Sequence, residues 1–410
     1  MATAVMNAVS PTLARVARGR LCSGCGLCAS IAGDGIALKT VQPGYTRPDQ
    51  RRPLAAAEEA AIAAACPAVV IDNRPAAPNH DALWGPWFFT GTGYTTDDAL
   101  RHQASSGGVI SGLLTHALGT GLIDFVVETG MDPAAPLGNR TVVARDRDAV
   151  FAAAGSRYAS SSPLAEIDRW LEQPGRFAFV GKPCDVSALR AFARIDPRVD
   201  AKIPLMLAFF CAGVPSGDGA RRILAAIDAP EAEVTAFRYR GDGWPGSARA
   251  TLADGSTRSM SYHDSWGKIL SKEIQFRCKI CPDAVGGAAD IACADAWYGD
   301  EKGYPSFAEQ DGRSLVMSRT ARGHALLQEA VAAGAIVTEP LDPAEIVRMQ
   351  PSQARRKREL IARLAAVAVA GRPLPRYRGV MLAAAAKQTS LFSQVRSFAG
   401  LVRRIVQGRT

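Results

Sequence analysis

Apolar residues fall along the chain in short unbroken runs and in stripes spaced three and four apart, and the two patterns alternate. The runs Phe177–Val180 and Pro204–Cys211 predict strands buried on both faces. Further strands are predicted at Ile123–Glu128, Thr141–Ala144, Ser314–Ser318 and Ala335–Glu339. Helical spacing predicts helices at Val109–Gly119, Pro163–Gln173, Val186–Arg194, Gly217–Ile227 and Arg322–Ala333. Asp185 is placed to start the third of these. Such alternation argues an α/β (α+β) architecture with a mixed sheet.

The flanks differ from this central region. Residues 1–85 read as a small module: a basic arm, a cysteine-rich loop, an Ala-rich helix, Cys66, then a linker with Pro75 and Pro78. Residues 86–162 and 163–350 form two α/β segments, and residues 351–410 a helical tail. In the tail Leu391, Phe392, Val395, Phe398, Leu401, Val402, Ile405 and Val406 form one stripe, with Arg396, Arg403 and Arg404 off it. That is a basic amphipathic helix, suited to an anionic membrane surface, a partner, or the chain's own body.

Charge follows the same division. The whole chain carries +9, the last sixty residues +12, and the first 350 residues therefore −3. Basicity is a property of the tail, which argues against a nucleic-acid-binding body. No apolar run approaches about 18 residues and the N-terminal segment lacks an apolar core, so a cytoplasmic protein is expected, peripheral to a membrane if the tail makes that contact.

The nine cysteines then need a reason, because disulfides are rare in a reducing compartment. Cys22, Cys25 and Cys28 are spaced C-x2-C-x2-C in the segment LCSGCGLCAS, and Cys66 precedes a proline. Three thiolates so spaced wrap one corner of a 4Fe-4S cubane, and a distant Cys-Pro closes it, as in a ferredoxin-like module. The competing zinc reading would favour paired C-x2-C knuckles over a triplet.

Four further cysteines are separated in sequence. Cys184 follows the strand ending in Gly-Lys-Pro-Cys, Cys211 ends the next strand, and Cys278 and Cys281 share one turn of RCKICPD. Four thiolates match a second 4Fe-4S cluster, while packed core thiols are the alternative for Cys184 and Cys211. Cys293 is left to core packing.

These segments together resemble one family. CSGCGLC, RHQASSGGVISGLL (Arg101–Leu114), GSRYASS, GKPCD, FFCAG, FRYRGDGWPG, SWG and RCKICPD occur in order between Cys22 and about Tyr377. The chain is similar to the coenzyme F-420 hydrogenase/dehydrogenase beta-subunit family, which includes 7-hydroxymethyl chlorophyll a reductase-like members. The resemblance implies FAD, 4Fe-4S clusters, two in this reading, and electron transfer to or from a small redox substrate.

No G-x-G-x-x-G follows a strand, so the flavin must be held differently. Ser105, Ser106, Gly107 and Gly108 open a helix whose N-terminus favours a pyrophosphate, although an ordinary N-cap is the simpler use of such residues. Ser156, Arg157 and Tyr158 supply a second contact, and Lys182 a cation beside the flavin or a cluster. Arg238, Arg240 and Trp244 are candidates for gripping an acidic or conjugated substrate. His102 and His263 are candidate proton donors, and Lys182 and His102 the candidate catalytic residues. The expected protein is an iron–sulfur flavoprotein oxidoreductase partnered by ferredoxin or another electron carrier. The alternative is a non-catalytic electron-transfer subunit of a larger complex.

Overall fold

A computed structural model describes residues 9–73, 76–299, 306 and 308–408 of the chain. The start of the basic arm, Pro75 of the linker and the last two tail residues lie outside the described residues. The centre is a mixed sheet of eight strands, β1 (Phe89–Thr95), β2 (Phe125–Asp132), β3 (Ala135–Ala144), β4 (Phe177–Gly181), β5 (Leu205–Phe209), β6 (Ile291–Asp295), β7 (Ser314–Ser318) and β8 (Ile336–Pro340). Their order across the sheet is β8-β1-β7-β6-β5-β4-β2-β3. The central strands β2, β4, β5 and β6 run parallel, and the edges are antiparallel.

Period-two alternation divides the core between the faces. Phe125, Val127, Phe177, Phe179, Met206 and Ala208 point to one side and pack with Val186 and Leu189 of the helix Pro183–Phe192. Val126, Ala178, Val180, Leu205, Leu207 and Ile291 point to the other and pack with Val109, Leu113 and Leu114 of the helix Val109–Gly119. Fully buried strands explain why FAFV and PLMLAF read as unbroken apolar runs.

Local details depart from the expected elements in instructive ways. The helix expected from Val186 begins at Pro183, because proline suits the first helical position and Asp185 caps the backbone N–H of Lys182. Cys184 therefore sits on a helix's first turn rather than at a strand end. Strand β1, with sequence FTGTGYT, carries no hydrophobic pattern, yet it pairs with both β7 and β8. A three-stranded antiparallel sheet, Val234–Arg238, Ser247–Leu252 and Thr257–Ser261, lies outside the main sheet.

The two ends of the chain form a joint structure. Arg376–Arg378 pairs in parallel with Val70–Asp72. Val16, Leu21, Ala68 and Val69 from the N-terminal module share a core with Leu360, Ala366, Val367 and Leu401 from the tail. The tail is thus not a separate segment, and its amphipathic helix, Leu391–Val406, docks on the chain itself. Phe398, Leu401, Val402 and Ile405 pack inward, whereas Leu391, Phe392, Val395 and Val406 are exposed. The expected membrane-facing stripe is half consumed by this packing. Among the described residues no helix is long and apolar enough to cross a membrane.

Candidate functional site

The first cysteine loop is shaped by two glycines in the left-handed region, Gly24 at φ 81° and Gly26 at φ 88°. A Cβ at Gly26 would meet Ala165 at 2.9–3.0 Å, so the loop packs directly against the segment after the GSRYASS motif. Cys22, Cys25, Cys28 and Cys66 line one small cavity with Leu13, Val16, Leu27, Ile31 and Ile62. Burial and the neighbouring thiols push Cys66 up to about 11 and raise Cys25 and Cys28 as well. Thiols in this apolar setting ionise only with a cationic partner, and bound metal is such a partner.

The second set comes from three places in the fold. Cys184 lies at the start of Pro183–Phe192, Cys211 just beyond β5, and Cys278 and Cys281 on and after the short helix Phe276–Lys279. Burial raises Cys184 and Cys281 and pushes Cys211 up to about 12; Cys184 further feels Cys211 and Cys281, and Cys211 feels Cys278 and Cys281. The fold therefore brings these four thiols into one neighbourhood. The Cys278 sulfur accepts hydrogen bonds from the Val214 amide at 3.4 Å and from Gln275 Nε2 at 3.5 Å. Among the described residues no three His, Cys, Asp or Glu side chains converge tightly enough for a single metal ion. A cubane, with irons at separate corners, spreads its thiolates more widely than one ion does.

The two sets are joined. Gln275 Nε2 also reaches the Ser23 carbonyl at 3.5 Å, inside the first loop. Arg277 donates to the Pro67 carbonyl at 3.0 Å, while its Nε and Nη1 have no hydrogen-bond partner among the described residues and its charge is felt by Cys281, Cys184 and Cys278.

Beyond Cys211 opens a cavity of 390 Å³, within the usual range for small-molecule and cofactor sites. Ser105, Ser106, Gly108, Ser156, Arg157, Tyr158 and Lys182 all line it. Gly107 does not. A Cβ there would stand 2.5 Å from the Gly93 carbonyl and 2.7 Å from the Ser314 amide, so this glycine serves close packing against β1 and β7. The Ser105 and Ser156 hydroxyls are 2.6 Å apart, and Ser106 donates to the Arg313 carbonyl at 3.0 Å. Arg157 spends most of its N–H groups on Asn139 and on the carbonyls of Pro136, Gly138 and Phe237, which fixes it as a wall rather than a free anion grip.

Lys182 is buried against Asp185 at 2.8 Å and the Ser161 hydroxyl at 2.7 Å. Burial alone would lower it, but the Asp185 carboxylate, with Cys184 and Cys211 nearby, raises it above the ordinary lysine value. It is a fixed cation at the cavity edge. His102 and His263 do not line the cavity.

The substrate candidates are largely internal. Arg240 makes a two-pronged ion pair with Asp295, both contacts 2.8 Å, and lies over Tyr262 and Trp297. Trp244 is 1% exposed, stacks on Trp297 with centroids 4.7 Å apart and donates to Asp295 at 3.1 Å. Arg238 is turned to Asp242 and the Gln103 carbonyl. Of the three, only Arg240 lines the cavity. The aromatic rings beside Arg240 on the cavity wall are those of Tyr262 and Trp297, which sequence patterning does not single out.

Three other wall residues were not expected. Gln350 and Gln353 reach the cavity from the tail side, and Arg356, one helical turn on, donates to the Cys211 carbonyl at 3.3 Å. Glu128, at the end of the apolar run FVVE on β2, is buried on the cavity wall; a lone acid closing such a run is the signal that could have marked it.

Comparisons with known proteins match this organisation. The N-terminal family model of the coenzyme F420 hydrogenase/dehydrogenase beta subunit matches residues 90–167, and the C-terminal model of the same protein matches residues 175–344. The chain is 26% identical over 295 residues to the coenzyme F420 hydrogenase subunit beta of Methanothermobacter thermautotrophicus, covering 68% of this chain and 95% of that protein. It is 25% identical over 266 residues to the protein of the same name from Methanosarcina barkeri, covering 60% and 80%. In fold it is similar to a chain of the F420-reducing NiFe hydrogenase complex from Methanosarcina barkeri, with a TM-score of 0.54, 22% identity, and 70% and 96% of the two chains covered. Residues 1–89 and 345–410 lie outside both family models, and these are the two ends that pack together.

Proposed function

The chain belongs to the coenzyme F420 hydrogenase/dehydrogenase beta-subunit family, and we propose that it is an iron–sulfur flavoprotein oxidoreductase passing electrons between a ferredoxin-like protein and a small redox substrate. In this reading Cys22, Cys25, Cys28 and Cys66 hold one 4Fe-4S cluster, Cys184, Cys211, Cys278 and Cys281 a second, and the large cavity FAD. The observation that carries it is an arrangement in space. The first thiol set is joined to the second through Gln275 and Arg277, and Cys211 of the second set forms part of the cavity wall.

The residues present fit such groups. Of the eight thiols Cys25 is buried and the other seven are half-buried, and the cavity combines a helix N-terminus at Gly108, hydroxyls at Ser105 and Ser156, and a held cation at Lys182. Clusters supply one-electron transfer, and a flavin gathers two for chemistry at the level of a hydride. Lys182 favours negative charge at the cavity edge, and Arg240, Tyr262 and Trp297 offer a flat cationic and aromatic surface against which a conjugated substrate is oriented.

Anaerobic reconstitution with iron, sulfide and FAD tests the assignment. About eight irons per chain are expected, four for each cubane, together with one flavin. A colourless protein that takes up neither would overturn it.

A second reading is favoured by the relatives, whose names are those of subunits of a hydrogenase. Here the chain relays electrons within a larger assembly and has no substrate of its own. A purified chain that binds its clusters but neither retains FAD nor reduces coenzyme F420 with a reduced ferredoxin would support it.

A further inference from the structure

Glu128 occupies an unusual position. It lies on β2, next to the edge strand β3 of the main sheet, in the buried first half of that strand, and is 8% exposed. Its Oε1 is buried with no hydrogen-bond partner among the described residues, yet the residue lines the 390 Å³ cavity. Burying a carboxylate without a partner is costly, so such a group stays neutral or is met by something that enters the cavity.

Among the described residues the neighbours do not supply a counter-charge. On β3, Val142 stands opposite Glu128, and Arg140 is exposed. On β4 the facing residues are Phe177 to Gly181, all uncharged. The helix Arg147–Ala153 turns Arg147 and Asp148 outward, Arg147 pairing with Asp97. On Val109–Gly119 the titratable residue is His116, which does not line the cavity. The charged groups sharing the cavity are engaged: Lys182 with Asp185, Arg240 with Asp295, and Arg157 with Asn139 and backbone carbonyls. Tyr158, Tyr262, Cys211 and Cys293 complete the titratable lining.

We propose that Glu128 is the proton-exchanging group of this cavity, donating a hydrogen bond to the redox ligand and delivering the proton that accompanies its two-electron reduction. This rests on the flavin reading above. Burial alone pushes the Glu128 carboxyl up to about 8, so it holds its proton at neutral pH. In reduction, two electrons arrive singly from a reduced iron–sulfur donor. One proton leaves Glu128, its O–H bond breaking as an N–H bond forms on the ligand. The carboxylate that remains is reprotonated from water at the cavity mouth, and in the oxidative direction the same group takes the proton back.

FAD is the probe, titrated by fluorescence quenching into the full-length wild-type, Glu128→Gln and Glu128→Ala proteins between pH 6.5 and 9.5. The wild type should bind FAD with constant affinity below its titration and lose about tenfold per pH unit above it, because ionisation removes the donor. Glu128→Gln keeps a donor but has no proton to lose, so its affinity should be independent of pH. Its flavin should also be reduced more slowly. Infrared difference spectra of wild type minus Glu128→Gln, without FAD, should show a protonated carboxyl band at pH 7 that disappears by pH 9.5.

Identical pH profiles for wild type and Glu128→Gln, with FAD bound by both, would overturn the role of Glu128 and leave the flavin reading standing. An ionised carboxyl at pH 7 in the infrared spectrum would do the same. Failure of the wild type to bind FAD at any pH would overturn both.

Discussion

Arg277 Nη2 donates a hydrogen bond to the carbonyl of Pro67 at 3.0 Å, across 210 residues of sequence. Pro67 follows Cys66 of the first thiol set, and Arg277 precedes Cys278 of the second. Arg277 is 2% exposed, lies near the Tyr377 ring, and leaves Nε and Nη1 without a hydrogen-bond partner among the described residues. A buried cation without a carboxylate partner is unfavourable unless anionic charge sits nearby. Thiolate-ligated clusters of the kind proposed above would carry that charge and would account for the burial of Arg277.

Arg277 should therefore set the reduction potentials of the proposed clusters. Replacing it by Met removes a positive charge that stabilises the reduced state. The midpoint potential of the second cluster should fall, by on the order of 1–2 kcal/mol in driving force, and that of the first by less. Arg277→Lys should recover most of the shift. Redox titration followed by electron paramagnetic resonance decides; two unmoved potentials would mean that Arg277 only braces the loop.

The thiols themselves are separable. Cys25→Ser should lose about four irons, and so should Cys278→Ser, because each removes a ligand from a different cubane. Cys293→Ser should lose none: it lies on β6, outside both sets, where burial pushes it up to about 12. Iron and sulfide assays on anaerobically reconstituted proteins check all three. Loss of iron in Cys293→Ser, or retention in Cys278→Ser, would reassign the second set.

The Arg240–Asp295 pair should matter for stability as much as for the cavity. Asp295 accepts from both Arg240 nitrogens and from Trp244, while Arg240 is 2% exposed. Asp295→Asn would strand a buried cation, at a cost of about 3–5 kcal/mol. Urea unfolding should show a lower midpoint with an unchanged slope. A variant as stable as wild type would mean that Arg240 escapes to solvent.

How far these features were legible in the sequence depends on where their information lies. The helix Val109–Gly119 and strand Ser314–Ser318 follow from local apolar periodicity and occur with the expected bounds. The expected grouping of the cysteines rests on spacing for the first set, and for the second on two strand ends and a C-x2-C pair, strengthened by the family resemblance. Strand β1 was hidden because glycines and threonines alternate where its neighbours approach closely: a Cβ at Gly91 or Gly93 would meet carbonyl oxygens of β8 at 2.4 Å. Trp244 looked like a binding residue because an aromatic beside glycines and arginines has the composition of a recognition loop. Its partners, Asp295 and Trp297, are some fifty residues away, and no local pattern announces them. The docking of the tail on the chain's own body was one of three readings that the sequence left open, because an amphipathic stripe shows that a face will be covered, not by what.

That docking gives the last prediction. Leu401 is fully buried in the core shared by the N-terminal module and the tail, among Val16, Leu21, Ala366 and Val367. Leu401→Ala should cost about 2–5 kcal/mol, whereas Val406→Ser, at a position 80% exposed on the same helix, should stay within about 0.5 kcal/mol. Because Cys22 and Cys66 pack against this same core, Leu401→Ala should also speed the loss of iron from the first cluster and leave the second intact. Denaturant midpoints and the rate of chelator-driven iron release give the two readouts. Equal stability of the two variants would show that the helix rests on the body without supporting it, and the exposed stripe would again be open to an outside partner.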